Sequence, residues 1–227
     1  METPRLLPAS DQSTLVSFGD EISLETHHRV VKLLRSLQEQ QTDGIRNLHP
    51  AYCSLLIRFD PLRLDHDAVG ELVHACLDRL GPVALPEPRT IEIPVCYGGE
   101  FGPDLLDVAN LHGLSPEGVI EMQTSGTYTV FFLGFVPGFA YLGGLPDRLA
   151  TPRLKSPRKQ VPRGSLGIAG NQTGIYPFST PGGWRLLGRT PLEIFRPDRA
   201  NMSLLSIGDR VRFVPIPAER FAAPQQV

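Results

Sequence analysis

Glycine is unevenly distributed along this chain, with four of its 22 glycines in residues 1–97 and eighteen in residues 98–227. A glycine-poor segment can hold long helices, whereas a glycine-rich segment favours short strands joined by tight turns. A chain of 227 residues can form one large domain or two small ones. The change in glycine content favours two, and the three prolines in residues 81–88 predict a stiff linker. We place the domains at residues 1–88 and 89–227.

The first domain is predicted to be a small α/β domain. Apolar residues at helical spacing predict helices over residues 24–40 and 66–80, and Asp65 can cap the second helix. Strands are predicted over residues 14–18, 45–49 and 53–59. A further alternating strand at residues 90–95 would complete a split βαβ, or ferredoxin-like, arrangement, but it could equally begin the next domain.

The second domain is predicted to consist mostly of short strands. Two short helices come first, over residues 104–112 and 115–123, the latter with Ser115 as N-cap. Strands are predicted over residues 128–133, 165–168, 186–189, 192–195 and 210–214. Short strands with Gly and Pro turns indicate a compact barrel or sandwich. The polar tail, residues 224–227, is predicted to be frayed.

Charge and hydropathy exclude several classes of protein. The formal net charge is -2, so the chain lacks the basic surface of nucleic-acid binders. No apolar run approaches the roughly 20 residues that span a membrane, and the first residues have no secretion pattern. We therefore expect a cytoplasmic protein that binds neither nucleic acid nor membrane. The three cysteines, Cys53, Cys76 and Cys96, are predicted to be buried reduced thiols.

Familiar catalytic motifs are absent from the sequence. It has no GxSxG, no HExxH, no phosphate-binding GxxxxGK[ST] and no pair of histidines at metal-ligand spacing. We therefore predict no metal and identify no site for ATP in this chain.

Three stretches have the composition of a binding site. Residues 134–144 alternate glycines with aromatic residues and could form an aromatic wall with exposed amides, or simply a tight turn. Residues 151–164 carry five basic residues and no acidic one, which favours an anion site, a solvated loop or a contact face for an acidic partner. Residues 167–183 place neutral polar side chains among glycines, as a small amide or carboxylate ligand would need.

The same stretches carry a family resemblance. The motifs are IPVCYGGEFGPDL, FLGFVPGFAYLGGLP, TPR followed by PR, VPRGSLGIAGNQTGIYPFSTPGGWRLLGRT and the closing GDRVRF. Together they resemble the B-subunit of 5-oxoprolinase, whose family is also called allophanate hydrolase subunit 1. The resemblance is weak over residues 1–88 and strong over residues 91–213. It implies an α+β chain with a small ferredoxin-like α/β N-terminal domain followed by a cyclophilin-like β-barrel domain.

The resemblance also implies a function. The B-subunit works with a C-subunit of related fold and with a separate A-subunit, and the complex opens 5-oxo-L-proline to L-glutamate while hydrolysing ATP. The chain is then expected to be inactive alone. Two alternatives stay open, because the wider family includes an inhibitor of a sporulation sensor histidine kinase and because a carboxyltransferase-like role in urea or allophanate metabolism is conceivable.

A substrate site can be proposed on this basis. Two arginines would hold a carboxylate or phosphate, three polar side chains would orient the lactam amide, and two phenylalanines would shape the wall. No general base is assigned. The seven residues are Arg158, Arg163, Gln172, Thr173, Tyr176, Phe135 and Phe139.

Overall fold

The computed structural model of the protein describes residues 3–79, 81, 85 and 87–222. The chain divides into two compact units, Met1–Glu87 and Pro88–Val227. Over the described residues it is a mixed α/β protein with four α-helices and a closed seven-stranded β-barrel. Parts of the predicted linker (residues 82–84 and 86), residue 80 at the predicted end of the second helix, and the predicted tail lie outside the described residues.

Unit 1 is a four-stranded antiparallel sheet with two helices. Its elements are β1 (Arg5–Ser10), β2 (Ser13–Ser17), α1 (Leu24–Gln40), β3 (Ile45–Pro50), β4 (Ser54–Phe59) and α2 (His66–Leu77). The strand order is β1-β2-β4-β3. Strand β1 was not predicted, because five of its six residues are exposed and it lacks the alternation of a half-buried strand.

The two helices of unit 1 follow the predicted pattern. Ser23 caps α1 by accepting a hydrogen bond from the amide of Thr26, and Asp65 caps α2 by accepting one from the amide of Ala68. The buried face of α1 includes Val30, Leu33, Leu34 and Leu37, which have the apolar helical spacing that predicts the helix. The predictions for α1 and for the start of α2 are thus confirmed.

Protonation of His27 is expected to destabilise unit 1 at mildly acidic pH. His27 lies on the buried face of α1, where burial, and after it the charge of His28, lowers its pKa from 6.5 to about 4. The unfolded chain therefore binds a proton that the folded chain does not. The stability that depends on a neutral His27 is fully present above about pH 6.5 and is lost as the pH falls toward about 4. Between about pH 7 and about pH 5, we expect a loss of about 2 kcal/mol.

Hydrogen exchange of the α1 amides, measured across this pH range, checks the prediction. His27→Leu should flatten the pH dependence of this exchange. His74 on α2 is exposed and offers a control, since His74→Gln should leave the pH dependence intact. An unchanged pH dependence in His27→Leu would show that another group is responsible.

Unit 2 holds the barrel. Its helices and strands are β5 (Thr90–Tyr97), α3 (Leu105–His112), α4 (Pro116–Ser125), β6 (Tyr128–Leu133), β7 (Ala140–Gly143), β8 (Arg158–Val161), β9 (Ser165–Ala169), β10 (Gln172–Ile175), β11 (Thr180–Gly182), β12 (Arg185–Arg189) and β13 (Arg210–Pro215). The barrel closes in the order β10-β7-β6-β13-β5-β12-β9. Strands β8 and β11 form a separate two-stranded ribbon.

Strand β5 resolves a question that the sequence left open. It pairs in parallel with β13 and antiparallel with β12, so it belongs to the barrel and does not complete the sheet of unit 1. The fourth strand of that sheet is β1 instead.

One predicted strand, over residues 192–195, is wrong. Leu192 and Ile194 are buried in the barrel core, but the segment is irregular and makes only one isolated bridge, between Phe195 and Ser203. The alternation of apolar and polar residues arises because two side chains of a loop enter the core. The sequence pattern of such a loop is the same as that of a strand. Among the described residues, no helix is long and apolar enough to cross a membrane.

Candidate functional site

An aromatic cleft of about 270 Å³ lies beside the barrel in unit 2. The loop between β6 and β7 forms one wall, and the β8/β11 ribbon with its flanking residues forms the other. The lining residues are Phe135, Phe139, Tyr141, Arg153, Pro157, Tyr176, Pro181, Gly182, Gly183 and Trp184. Pockets for drug-sized ligands are typically about 300–1,000 Å³, so this cleft suits a smaller molecule.

Phe139 is the centre of the aromatic wall. Its ring lies edge-to-face with Tyr141, Tyr176 and Trp184 at centroid distances of 4.9, 5.2 and 5.4 Å. Edge-to-face packing is the arrangement that the ring quadrupole favours, and it fixes each ring relative to the others. Phe139, Tyr176 and Trp184 are almost fully buried, so the wall is rigid.

Phe135 forms the exposed lip of the cleft. It is 59% exposed and packs edge-to-face on Phe139 at 5.5 Å. Its φ of 67° lies in the left-handed region, which is unusual for a bulky residue. Strained conformations of this kind cluster at ligand sites because the surroundings must hold them there.

Arg153 supplies the only positive charge among the lining residues. Over the part of the chain that the structure describes, no carboxylate lies within 4.0 Å of its guanidinium. Burial raises the pKa values of Tyr141 and Tyr176, and the positive charge of Arg153 acts in the opposite direction by lowering them. The cleft thus combines aromatic faces with one cation that is available to an anionic group.

Tyr176 places a protonated hydroxyl in the cleft. Burial raises its pKa to about 12, against the opposing effects of a hydrogen bond with the Trp184 backbone and of the charges on Arg153 and Arg158. The hydroxyl is therefore neutral at physiological pH and can donate a hydrogen bond. Gly182 is needed beside it, because a Cβ there would lie 2.5 Å from the Tyr176 hydroxyl oxygen.

The structure brings together three of the seven predicted site residues, Phe135, Phe139 and Tyr176, in this cleft. Thr173 lies elsewhere, fully buried on β10, where its hydroxyl donates to the carbonyl of Gly167 at 3.0 Å. Gln172 is half-buried at the start of β10 and is not among the lining residues.

The two predicted arginines have carboxylate partners within the protein. Arg158 pairs with Asp104 at 2.6 Å, and Arg163 pairs with Glu193 at 2.7 Å. Neither lines the cleft, and their predicted contacts with a ligand stay predictions. The sequence shows the basic stretch that contains Arg153, but it does not show which cations of that stretch distant carboxylates neutralise.

Tyr141 and Trp184 were also missed as site residues. Trp184 is the one tryptophan of the chain and follows two glycines, a combination that could have identified it. Tyr141 was noticed only as part of the aromatic stretch.

The ion pair between Arg158 and Asp104 is expected to stabilise the cleft. The Asp104 side chain is only 5% exposed, and its second oxygen accepts a hydrogen bond from the amide of Leu186 at 2.7 Å. Arg158→Ala leaves this carboxylate buried without its cation, which should lower the free energy of unfolding by about 3 kcal/mol. Urea unfolding followed by Trp184 fluorescence measures the effect.

Arg163→Ala is the matched control for this experiment. Both partners of its ion pair are more than two-fifths exposed, at 49% and 42%, and pairs of this kind contribute about 0–1 kcal/mol. Equal losses in the two variants would contradict a structural role for the Arg158 pair.

The described residues hold no group of three or more His, Cys, Asp or Glu side chains that could bind a metal ion.

All three cysteines are free thiols; Cys76 and Cys96 are buried as predicted, whereas Cys53 is half-buried. Burial raises the pKa of the Cys53 and Cys96 thiols, with neighbouring acidic groups adding to the effect. Neither thiol is activated as a nucleophile.

Comparison with known proteins places the chain in a family. The model of the carboxyltransferase domain, subdomain C and D, matches residues 4–205. The 5-oxoprolinase B-subunit of Escherichia coli O157:H7 is 58% identical, over 95% of this chain and 97% of that protein. The 5-oxoprolinase B-subunit of Bacillus subtilis (strain 168) is 43% identical, over 94% of this chain and 93% of that protein. The chain belongs to the 5-oxoprolinase B-subunit family.

A solved structure supports the fold of this member of the 5-oxoprolinase B-subunit family. The crystal structure of TTHA0988 superposes with a TM-score of 0.80 at 37% identity. The match covers 91% of this chain and 40% of TTHA0988, so the chain spans about two-fifths of that protein.

Proposed function

We propose that the chain is the B-subunit of an ATP-dependent 5-oxoprolinase complex, which opens 5-oxo-L-proline to L-glutamate with hydrolysis of ATP. The observation that carries the proposal is the 58% identity to a 5-oxoprolinase B-subunit over 95% of this chain and 97% of that protein. A match over nearly the whole of both chains favours a shared role more strongly than a shared fold alone would.

The aromatic cleft suits the proposed substrate. 5-Oxo-L-proline is a small, nearly flat lactam ring that carries one carboxylate. Its ring would pack against the exposed Phe135 and the half-buried Tyr141, over the buried wall that Phe139, Tyr176 and Trp184 form. The cleft of about 270 Å³ limits the ligand to a molecule of about this size. Phe135 at the lip would shield the bound ring from water.

Arg153 would hold the substrate carboxylate. Its planar guanidinium matches a carboxylate in a two-point contact, and it has no competing carboxylate among the described residues. The neutral hydroxyl of Tyr176 would donate a hydrogen bond to the lactam oxygen. As charge develops on this oxygen when the amide is activated, such a donor becomes more effective.

The proposal changes the role of one of the four remaining predicted residues. Arg158 would support the cleft through Asp104 rather than touch the substrate. Direct roles for Arg163, Gln172 and Thr173 stay predictions. We assign neither the general base nor the ATP site to this chain, and both would then belong to the partners.

The partners in this proposal are the C-subunit and the A-subunit of 5-oxoprolinase, and the chain alone is expected to be inactive. The proposal also includes a cytoplasmic location, a ferredoxin-like description of unit 1 and a cyclophilin-like description of the barrel in unit 2.

The 5-oxo-L-proline content of cells tests the proposal. A strain of the source organism that lacks this chain should accumulate 5-oxo-L-proline, and the wild-type chain restored on a plasmid should reverse the accumulation. An unchanged content would reject the proposal. If urea utilisation failed instead, the carboxyltransferase role suggested by the family model would replace it.

A further inference from the structure

A second pocket in unit 2 shares no lining residue with the aromatic cleft. It measures about 360 Å³ and lies between α3, the start of β12 and Thr151. The lining residues are Asp107, Val108, Asn110, Leu111, Thr151 and Arg185. Nothing in the proposed function uses this pocket.

The pocket contains one positive and one negative side chain that form only a long ion pair with each other. Arg185 and Asp107 approach only to 3.4 Å between Nη1 and Oδ2. The Nε atom of Arg185 is buried, and within the described part of the chain it has no hydrogen-bond partner. A buried donor without a partner is costly, so the contact with Asp107 leaves the hydrogen-bonding capacity of this guanidinium incomplete. A ligand in the pocket would contact the guanidinium through its Nη groups.

The nearby polar groups do not fill this role. The Asp104 carboxylate is already occupied by Arg158 and by the amide of Leu186. The hydroxyl of Thr151 donates to the carbonyl of Leu149 at 2.8 Å and also contacts His112 at 2.9 Å. The groups left to contact a ligand are therefore Arg185, Asp107 and the exposed Asn110.

The pair of charges selects the class of ligand. An inorganic anion would be repelled by Asp107, and a metal cation would be repelled by Arg185. A molecule that carries both charges on neighbouring atoms satisfies both side chains at once. The exposed Leu111 adds apolar surface for a short aliphatic chain.

We propose that this pocket binds a free α-amino acid, with its carboxylate on the Arg185 guanidinium and its ammonium group on the Asp107 carboxylate. The class of ligand follows from the two charges. The choice of L-glutamate as the first probe rests on the proposed function, because L-glutamate is the product that the complex would release. Binding of the product at a separate site would let its concentration regulate the complex.

Calorimetric titration of the full chain with L-glutamate tests the proposal. Wild-type protein should bind with a Kd of about 1 mM. Asp107→Asn keeps the size of the side chain and removes its charge, and it should weaken binding at least about tenfold. Glu117→Gln, on the exposed first turn of α4, is the matched carboxylate control and should bind as the wild type does. Arg153→Ala removes the cation of the aromatic cleft, where the product could also bind, so the L-glutamate binding that depends on Asp107 should persist in Arg153→Ala.

Glutarate measures how much the ammonium contact contributes to binding. It lacks the ammonium group, so it should bind wild type at least about tenfold more weakly than L-glutamate, and Asp107→Asn should remove this difference. Failure of every α-amino acid to bind, or equal L-glutamate binding by wild type and Asp107→Asn, would overturn the proposal. If an α-amino acid binds through Asp107 while the complex shows no 5-oxoprolinase activity, the pocket stands and the proposed function fails.

Discussion

Arg153→Ala is expected to lower kcat/KM of the assembled complex for 5-oxo-L-proline about 100-fold, mainly through a higher KM. A charge-assisted contact to a carboxylate contributes about 1.5–3 kcal/mol, and each 1.4 kcal/mol is about tenfold. The loss should be near the upper end of that range, because Arg153 is the one cation that lines the aromatic cleft. Initial rates of ATP-dependent glutamate release, measured against 5-oxo-L-proline concentration, provide the test.

Lys155→Ala is the matched control for Arg153→Ala. Lys155 is an exposed cation of the same basic stretch that does not line the cleft, and its loss should change kcat/KM less than about twofold. Arg163→Ala distinguishes the two candidate anion sites. A large loss in Arg163→Ala together with a small loss in Arg153→Ala would contradict the assignment and favour the site predicted from the sequence.

Gly164→Ala is expected to destabilise the barrel by about 4 kcal/mol or more. Gly164 precedes β9 with a φ of 83°, and a Cβ there would overlap the carbonyl oxygen of Thr190. Its amide donates to the carbonyl of Tyr176, and its carbonyl accepts from the amide of Thr190. The backbone therefore cannot move away from the clash without losing these hydrogen bonds.

Gly170→Ala is the control that measures the cost of backbone strain in the absence of a clash. Gly170 also has a positive φ, of 56°, but no atom lies within 4 Å of its would-be Cβ. Its substitution should cost about 1–2 kcal/mol, the strain of a left-handed residue alone. Trp184 is buried in unit 2 and is the one tryptophan of the chain, so its fluorescence reports unfolding of the barrel in both variants. Equal destabilisation would mean that the clash is relieved by local movement.

Much of the secondary structure could be predicted because its signals are local. Helix α1 matches its prediction at both ends, since apolar spacing and the cap are set within one segment. Strand β6 likewise coincides with residues 128–133. Strand β1 was missed because it is an exposed edge strand, and residues 192–195 were mistaken for a strand because a loop inserts Leu192 and Ile194 into the core.

The site was harder to predict than the fold, because its composition depends on contacts between distant residues. The aromatic wall was found, since Phe135 and Phe139 lie in one unusual stretch. The cation was not: Asp104 lies 54 residues from Arg158 and Glu193 lies 30 residues from Arg163. Only the folded chain reveals that these partners neutralise two arginines and leave Arg153 for a ligand.

ATP-dependent glutamate release from 5-oxo-L-proline tests the proposed function. This chain is mixed with its C-subunit and A-subunit partners, and each component is omitted in turn. We expect activity in the full mixture and none when this chain is left out. Equal activity of the two partners without this chain would contradict the proposed function and would make a regulatory role, such as binding a sensor histidine kinase, the leading account.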